Sequence, residues 1–510
     1  MKKILLTILL IIFGLKSYAA TVWINDARAQ FQSNSLIILG VNIRTFNAKD
    51  LNKNGIIEEK LDEERGNFLN AIDRLDELAL QGINAIHLLP ITPVGKLKAQ
   101  GTAGSLYALN GFNEINPQLA SKNSKLSPKE QARRFIDEAH RRKIRILVDL
   151  PAFAAYDYYL KYTTLFLTDL RGVPIAPEGQ NDVRILNAGK NGRINLNLLD
   201  EYKKFIDMII ELGADGVIIS EASTKPSDFW SDLINYAHTT SPQFLFLAQA
   251  TDKDEPLRKE VPFTTYDKLL DAGFDGYYGG YSRLSDWTTA DELYEQVKFN
   301  QKLFSKYKLI KSCIGSFATH NQVSPMLVNG TPYANMIAWL NATLPLNAYY
   351  SDGIQSGDDY MYPWENKKAV KTFTDDNFYF VPRGKLDIYN FSRKPGASNG
   401  EVLQNFILAN KFKYMMNQLM PDANFIPLQT NSVNVFAYAR SNSKNAVIVI
   451  GNMDFSNMQN VKVSVPHLND RVSVVPVKIA DIPVVHRNRI NTILAPGEVQ
   501  VLLVKDFSIK

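Results

Sequence analysis

Short apolar runs and amphipathic stretches alternate along most of this chain. The pattern is plainest at Gly213-Ala214-Asp215-Gly216-Val217-Ile218-Ile219-Ser220-Glu221, where a turn with two glycines feeds a β-branched run that stops at polar residues. A parallel strand buried on both faces reads this way, because polar residues are tolerated only where it emerges. Comparable runs occur at 36–42, 82–90, 144–149, 244–249, 274–278, 309–317 and 346–350. Between them, Phe68, Leu69, Ile72, Leu75, Leu78 and Ala79 line one face of a helix predicted over 68–80. Further helices are predicted over 128–142, 199–212, 229–238 and 290–307. Eight strands separated by mostly helical crossovers predict an α/β fold, a (β/α)8 barrel of the TIM type. In such a barrel the residue ending a strand faces the active site, and on the fourth strand that residue is Ser220.

Two stretches break the rhythm. Residues 151–198 show little helical period and many turn signals, such as Arg171-Gly172-Val173-Pro174 and Gly189. That is long for a βα loop and predicts a small irregular subdomain inserted after the third strand, over the barrel mouth. From about 425 only short strands are read, at 433–439, 446–450, 461–465 and 499–504, with turns at Ser441-Asn442-Ser443 and Pro496-Gly497. They predict a C-terminal antiparallel β-sandwich. The expected division is a barrel from 21–150 and 199–424, the insert at 151–198, and the sandwich at 425–510.

The first 20 residues stand apart. Lys2 and Lys3 precede an almost wholly apolar run from Ile4 to Leu15, and Ser17-Tyr18-Ala19-Ala20 offers small residues for cleavage. This predicts a signal peptide and an exported protein, periplasmic or extracellular. The apolar run is well short of the roughly 20 residues that span a bilayer, so no membrane span is expected after cleavage. The net charge of +5 includes Lys2, Lys3 and Lys16, so 5 − 3 leaves +2. That is too weak a charge to call for a nucleic-acid partner. Cys313 is the only cysteine, which excludes an intrachain disulfide and reads as a buried structural thiol.

After the first strand comes Asp50-Leu51-Asn52-Lys53-Asn54-Gly55-Ile56-Ile57-Glu58. Oxygen-bearing side chains at alternate positions, then a glycine permitting a sharp turn, are what a small loop needs to wrap a hard cation. The candidate ligand set is Asp50, Asn52, Asn54, Ile56 and Glu58. Leu61 stands where an EF-hand places its last acidic residue, so the loop is not a full EF-hand. A polar turn rich in Asn and Asp is the alternative.

In its order of local runs the chain resembles the α-amylase family of glycoside hydrolases across nearly the whole mature length. The loop at 50–58 is similar to that family's calcium loop, which implies structural Ca2+. Gly82-Ile83-Asn84-Ala85-Ile86-His87-Leu88-Leu89-Pro90-Ile91 resembles its second-strand signature. Residues 107–117, Ile194-Asn195-Leu196-Asn197 and Leu344-Pro345-Leu346-Asn347-Ala348-Tyr349-Tyr350 fall where other family motifs fall. The resemblance implies processing of α-linked glucosides with retention, a reaction that needs two carboxyl groups flanking the scissile bond.

Those carboxyl groups are missing from the matching positions. The family's nucleophilic Asp falls at Ser220, its acid/base Glu at Gln249, and its third carboxylate at Asn321. The Arg two residues before the nucleophile falls at Ile218, and the Asn and His of the third-strand motif fall at Phe153 and Ala154. A serine without an adjacent base is a poor nucleophile, and a glutamine has no proton to deliver. Losing general-acid catalysis alone costs roughly 10²–10⁴-fold in rate. Tyr107, Asp149 and His320 remain at positions that the resemblance assigns to sugar contacts, and Tyr156, Tyr158 and Tyr159 offer further ring surfaces.

Three readings follow. A catalytically inactive sugar-binding or scaffold protein keeps the shape of the site without its charge. An active glycosidase or transglycosylase would need relocated carboxylates, for which Glu221, Asp252 and Asp254 are nearest in sequence. A structural or protein-binding module would have its mouth filled by side chains such as Ile218, Phe153 and Ala154. The expected partners are accordingly an α-linked oligosaccharide or another protein.

Overall fold

The eight apolar runs close into a single parallel barrel. Its strands are β1 (Ile37–Val41), β2 (Ala85–Leu88), β3 (Arg145–Leu150), β4 (Gly216–Ile219), β5 (Leu245–Ala248), β6 (Gly276–Tyr278), β7 (Ser312–Gly315) and β8 (Asn347–Ser351). Each pairs with its sequence neighbours, and β8 closes on β1. The computed structural model describes residues 23–49, 51, 59–99, 104–178, 180–249, 259–308, 310–320, 322, 324–358, 399–469, 472–478 and 483–509. The N-terminal 20 residues and the whole candidate metal set (Asp50, Asn52, Asn54, Ile56 and Glu58) lie outside them, as do Asn321, Asp252 and Asp254. Among the described residues, no helix is long and apolar enough to cross a membrane.

Strand alternation sorts the barrel interior into layers. Ile38, Ala85, Leu147, Ile218, Leu245, Leu247, Tyr278, Ile314 and Tyr349 pack together as an apolar plug that also takes in Phe31. Ile218 therefore fills the barrel below the mouth rather than the mouth itself. Two residues further up β2 and β3, the inward positions change character and become His87 and Asp149. Gly40 on β1 leaves room for this layer: a Cβ there would meet the Tyr349 hydroxyl at 2.5 Å. At the opposite end, Asp215 accepts from Trp23 Nε1 at 2.7 Å, His140 Nε2 at 2.9 Å and the Ile146 amide at 2.7 Å. The N-terminal segment thus clasps the base of the barrel.

The helices follow the sequence pattern with shifted ends. They are α1 (Pro128–Arg141), α2 (Leu196–Glu211), α3 (Ser227–Thr240), α4 (Ala290–Ser305), α5 (Gly330–Thr343) and α6 (Gly400–Leu419). In α1, Ser127 and Glu130 form a capping box with Pro128 at the first helical position. The helix expected over 68–80 is interrupted. Phe68–Ala71 and Leu75–Leu80 are α-helical, while Ile72–Arg74 tightens to a 3₁₀ turn. That turn carries buried Arg74, whose guanidinium donates to the Phe46 carbonyl at 3.0 Å and to Asp352 at 3.2 Å.

Residues 151–198 hold two small antiparallel ribbons, Phe153–Ala155 with Val183–Ile185 and Gly189–Lys190 with Arg193–Ile194. Phe153 and Ala154 are consumed by the first of these. Tyr158 is buried against Phe112 and Phe166, so it packs the insert rather than offering a free ring. Tyr156 lies between Lys98 and Arg184, each in cation–π range of its ring.

The C-terminal region forms two antiparallel sheets. One has five strands in the order Asn424–Pro427, Val435–Ser441, Asn445–Asn452, Val499–Lys505 and Val474–Lys478. The other has four, in the order Gln429–Thr430, Gln459–Ser464, Arg489–Leu494 and Val484–Val485. Alternation again divides the faces: Val435, Ala437 and Ala439 point into the core between these sheets, while Phe436 and Tyr438 join the barrel's own core. Arg440 crosses the same boundary and donates to the Thr343 carbonyl at the end of α5 at 2.9 Å.

Candidate functional site

The polar layer at the top of the barrel is a connected network around one carboxylate. Asp149, on β3, has no solvent exposure. Ser220, just past the end of β4, donates its hydroxyl proton to Asp149 Oδ1 at 2.7 Å. Tyr107 donates to Asp149 Oδ2 at 3.2 Å, and His87 Nε2 lies 3.3 Å from the same oxygen. His320 Nε2 sits 2.7 Å from the Tyr107 hydroxyl. Gln249, at the end of β5, places Oε1 3.5 Å from Ser220 Oγ. The structure therefore brings together Ser220, Gln249, Tyr107, Asp149 and His320, five residues that are remote in sequence.

Proton directions follow from the acceptors. With the Tyr107 proton committed to Asp149, His320 donates from Nε2 to the Tyr107 oxygen. His320 Nδ1 is then an acceptor, and it is buried with no partner among the described residues. On the other side, the Tyr349 hydroxyl lies 2.9 Å from His87 Nδ1. The Tyr278 hydroxyl is buried nearby with no hydrogen-bond partner among the described residues, and that burial pushes its pKa well up. Among the described residues no second carboxylate hydrogen-bonds to the network.

Sequence reasoning missed His87, Tyr278 and Tyr349 as members of this layer. For His87 a signal existed: it is the one polar side chain within Ala85-Ile86-His87-Leu88, a strand buried at every position. A polar group in such a place must find partners.

Burial sets the electrostatics. Desolvation, with His87 adding to it, pushes His320 down to about 3. The folded state thus keeps His320 neutral where the unfolded chain takes up a proton. Stability from this residue is fully present above the ordinary value of 6.5 and is lost as pH falls toward about 3. Urea midpoints across that window are expected to fall by the equivalent of about 4 kcal/mol, with a much shallower slope in His320→Gln. Parallel slopes would show that His320 titrates normally.

Behind Ser220 the chain turns sharply. β4 ends at Ile219, and Glu221 is left-handed, with φ 48° and ψ 41°. Lys225 follows, fully buried, with Nζ donating to the Ala152 carbonyl at 3.0 Å. Desolvation pushes Lys225 down to about 7, and the negative charge of nearby Glu221 opposes that fall. Strand alternation does not reach Glu221, so its direction is set by this turn.

A closed parallel barrel with an insert after its third strand and antiparallel C-terminal sheets defines the α-amylase class of glycoside-hydrolase folds. A maltogenic α-amylase from Thermotoga neapolitana superposes with a TM-score of 0.67 at 18% identity, covering 93% of this chain and 99% of that one. A Glu-to-Gln variant of AmyP in complex with maltotriose gives 0.62 at 16% identity, over 97% and 100%. In sequence, the chain is similar to alpha-1,4-glucan:maltose-1-phosphate maltosyltransferases. That of Picrophilus torridus is 24% identical over 428 residues, covering 79% of this chain and 61% of the relative. That of Corynebacterium pseudotuberculosis is 25% identical over 250 residues, covering 45% and 34%. The chain thus spans between a third and three fifths of the length of these relatives. No family model matches the chain.

Proposed function

We propose that this chain is an exported, catalytically silent α-amylase-type protein that binds α-linked oligosaccharide at the barrel mouth. One observation carries this: Ser220 and Gln249 face each other at 3.5 Å, and the serine proton is already given to Asp149. Retaining chemistry needs two carboxyl groups about 5–5.5 Å apart at such a place, one to attack and one to protonate the leaving oxygen. Neither Ser220 nor Gln249 does either task at neutral pH. What remains is a cluster of hydroxyl, amide and imidazole groups around the single carboxylate of Asp149, suited to sugar hydroxyls. The maltotriose complex of the AmyP fold neighbour and the glucan-acting relatives support an α-glucan as the ligand. Calcium in the loop at 50–58 belongs to the same proposal.

The test is calorimetry with maltopentaose alongside a turnover assay on maltopentaose and 4-nitrophenyl α-maltoside. Saturable binding without product is expected. An active enzyme is the second reading, and it draws on the left-handed turn that frees Glu221 from strand alternation. Hydrolysis at ordinary enzymatic rates, abolished in Glu221→Gln, would establish it in place of the first. Absence of any sugar binding would leave the fold as a scaffold for another protein.

A further inference from the structure

The ribbon Gly189–Lys190 with Arg193–Ile194 turns through two exposed residues, Asn191 and Gly192, and Lys190 pairs with Arg193 across the turn. Gly192 takes φ 75°, in the left-handed region, which is why a glycine stands there. Asparagine before glycine is chemically labile. The glycine nitrogen can attack the asparagine side-chain carbonyl carbon, because no Cβ on the glycine crowds the five-membered ring that forms. Four such pairs lie among the described residues: Asn110-Gly111, Asn191-Gly192, Asn329-Gly330 and Asn399-Gly400.

At Asn191, neighbours touch both reacting groups. Gly192 donates its amide to Asp228 Oδ2 at 2.6 Å. Ser227 donates its hydroxyl to Asn191 Oδ1 at 3.3 Å. Both neighbours open α3, so one helix presents a base to the attacking nitrogen and a donor to the oxygen that gains charge. The hydroxyl contact is long, and it tightens as negative charge builds on that oxygen. The other pairs lack this arrangement. Asn399 Oδ1 is held as a helix cap by the amides of Glu401 and Val402, and Asn110 Oδ1 is buried. Asn329 precedes α5 without a capping hydrogen bond from its side chain. Lys190, Lys259 and Glu260 are the charged residues lining the same hollow as Asn191.

We propose that Asn191-Gly192 is a self-modification site, at which Asp228 and Ser227 promote deamidation of Asn191. Asp228 takes the Gly192 amide proton as the nitrogen closes on Asn191 Cγ, and the Ser227 hydroxyl steadies the oxyanion. The new N–Cγ bond replaces the Cγ–Nδ2 bond. The proton held by Asp228 passes to Nδ2, and ammonia leaves a succinimide behind. Water then opens the ring at either carbonyl, giving aspartate or isoaspartate at position 191. The isoaspartate route adds a methylene to the main chain between Lys190 and Arg193, which a two-residue turn cannot absorb without breaking their pairing.

The test is to incubate the folded full chain at neutral pH for several weeks and follow its chymotryptic peptides by mass spectrometry, beside a synthetic peptide of residues 187–196. Asparagine, aspartate and isoaspartate forms separate by mass and elution. Conversion at Asn191 is expected to outrun both the free peptide and the three other Asn-Gly pairs. It should slow by at least about tenfold in Asp228→Asn and in Ser227→Ala. The first variant keeps an acceptor oxygen for the Gly192 amide but removes the base. The second removes a hydroxyl that does not cap α3. A native rate no faster than that of the free peptide would overturn the proposal. So would an Asp228→Asn rate equal to or above wild type, which would mean that the carboxylate only pins the turn.

Discussion

Asp149→Ala is expected to destabilise the protein by about 3–5 kcal/mol, the range for breaking a buried charged contact from one side. The carboxylate has no solvent exposure and receives the Ser220 and Tyr107 hydroxyls, with His87 Nε2 at 3.3 Å. Alanine leaves those donors buried with nothing to accept them, and each such donor costs about 1–3 kcal/mol. His87 Nε2 also loses its neighbouring carboxylate, which leaves the ring held through the Tyr349 hydroxyl at Nδ1. Asp149→Asn keeps the shape and one acceptor oxygen, but it turns an NH2 toward a donor. Its cost should fall between the wild type and alanine, about 2 kcal/mol. Urea unfolding followed by circular dichroism checks the order. A loss under about 1 kcal/mol in the alanine variant would mean that Asp149 is held for a ligand and contributes little to the fold. Sugar binding should disappear in the alanine variant in either case.

The barrel was legible because its strands are buried on both faces and so read as continuous apolar runs. The end of the fourth strand was legible too, which singles out Ser220, whereas Gln249 is singled out by the family resemblance. α6 was not read, and its composition says why. Its apolar stripe of Val402, Phe406, Ala409, Phe412 and Met416 is interleaved with buried Asn405, Asn410 and Lys413. Those polar residues are inside because they serve backbone elsewhere: Asn410 donates to the Gln81 carbonyl, and Lys413 to those of Asn341 and Leu346. A helix that caps its neighbours with its buried face loses the period that would announce it. The sequence pattern predicts four strands for the C-terminal sheets, while the described residues form nine. Several of the missed ones are two-residue edges such as Gln429–Thr430 and Val484–Val485, too short to show alternation. His87 announces itself as the one polar side chain of its buried strand, but its partners do not, since Asp149 and Tyr349 lie on strands far along the chain.

The same geometry fixes what happens if a carboxylate is returned to the fourth strand. Ser220 Oγ sits 2.7 Å from Asp149 Oδ1, so Ser220→Asp sets two carboxyl groups against each other in a buried layer. Two such groups cannot both ionise cheaply, so the pair holds one proton to higher pH than a free carboxyl would. The Arg that the family resemblance places two residues earlier is here Ile218, buried in the apolar plug, and offers no compensating charge. The sign follows from proton counting: the folded variant holds a proton that the unfolded chain has already released, so stability falls as pH rises. Ser220→Asp is therefore expected to be near wild type in stability at about pH 4 and to lose about 3–4 kcal/mol by about pH 8. Adding Asp149→Asn removes the like charge and should flatten that slope, although Asp149→Asn alone is destabilising. A pH-independent loss would instead point to steric crowding. Restoring hydrolysis through Ser220→Asp, Gln249→Glu and Asn321→Asp faces the same electrostatic obstacle, so any activity recovered by the triple variant should be greatest on the acid side, where Asp149 and its new neighbour share one proton.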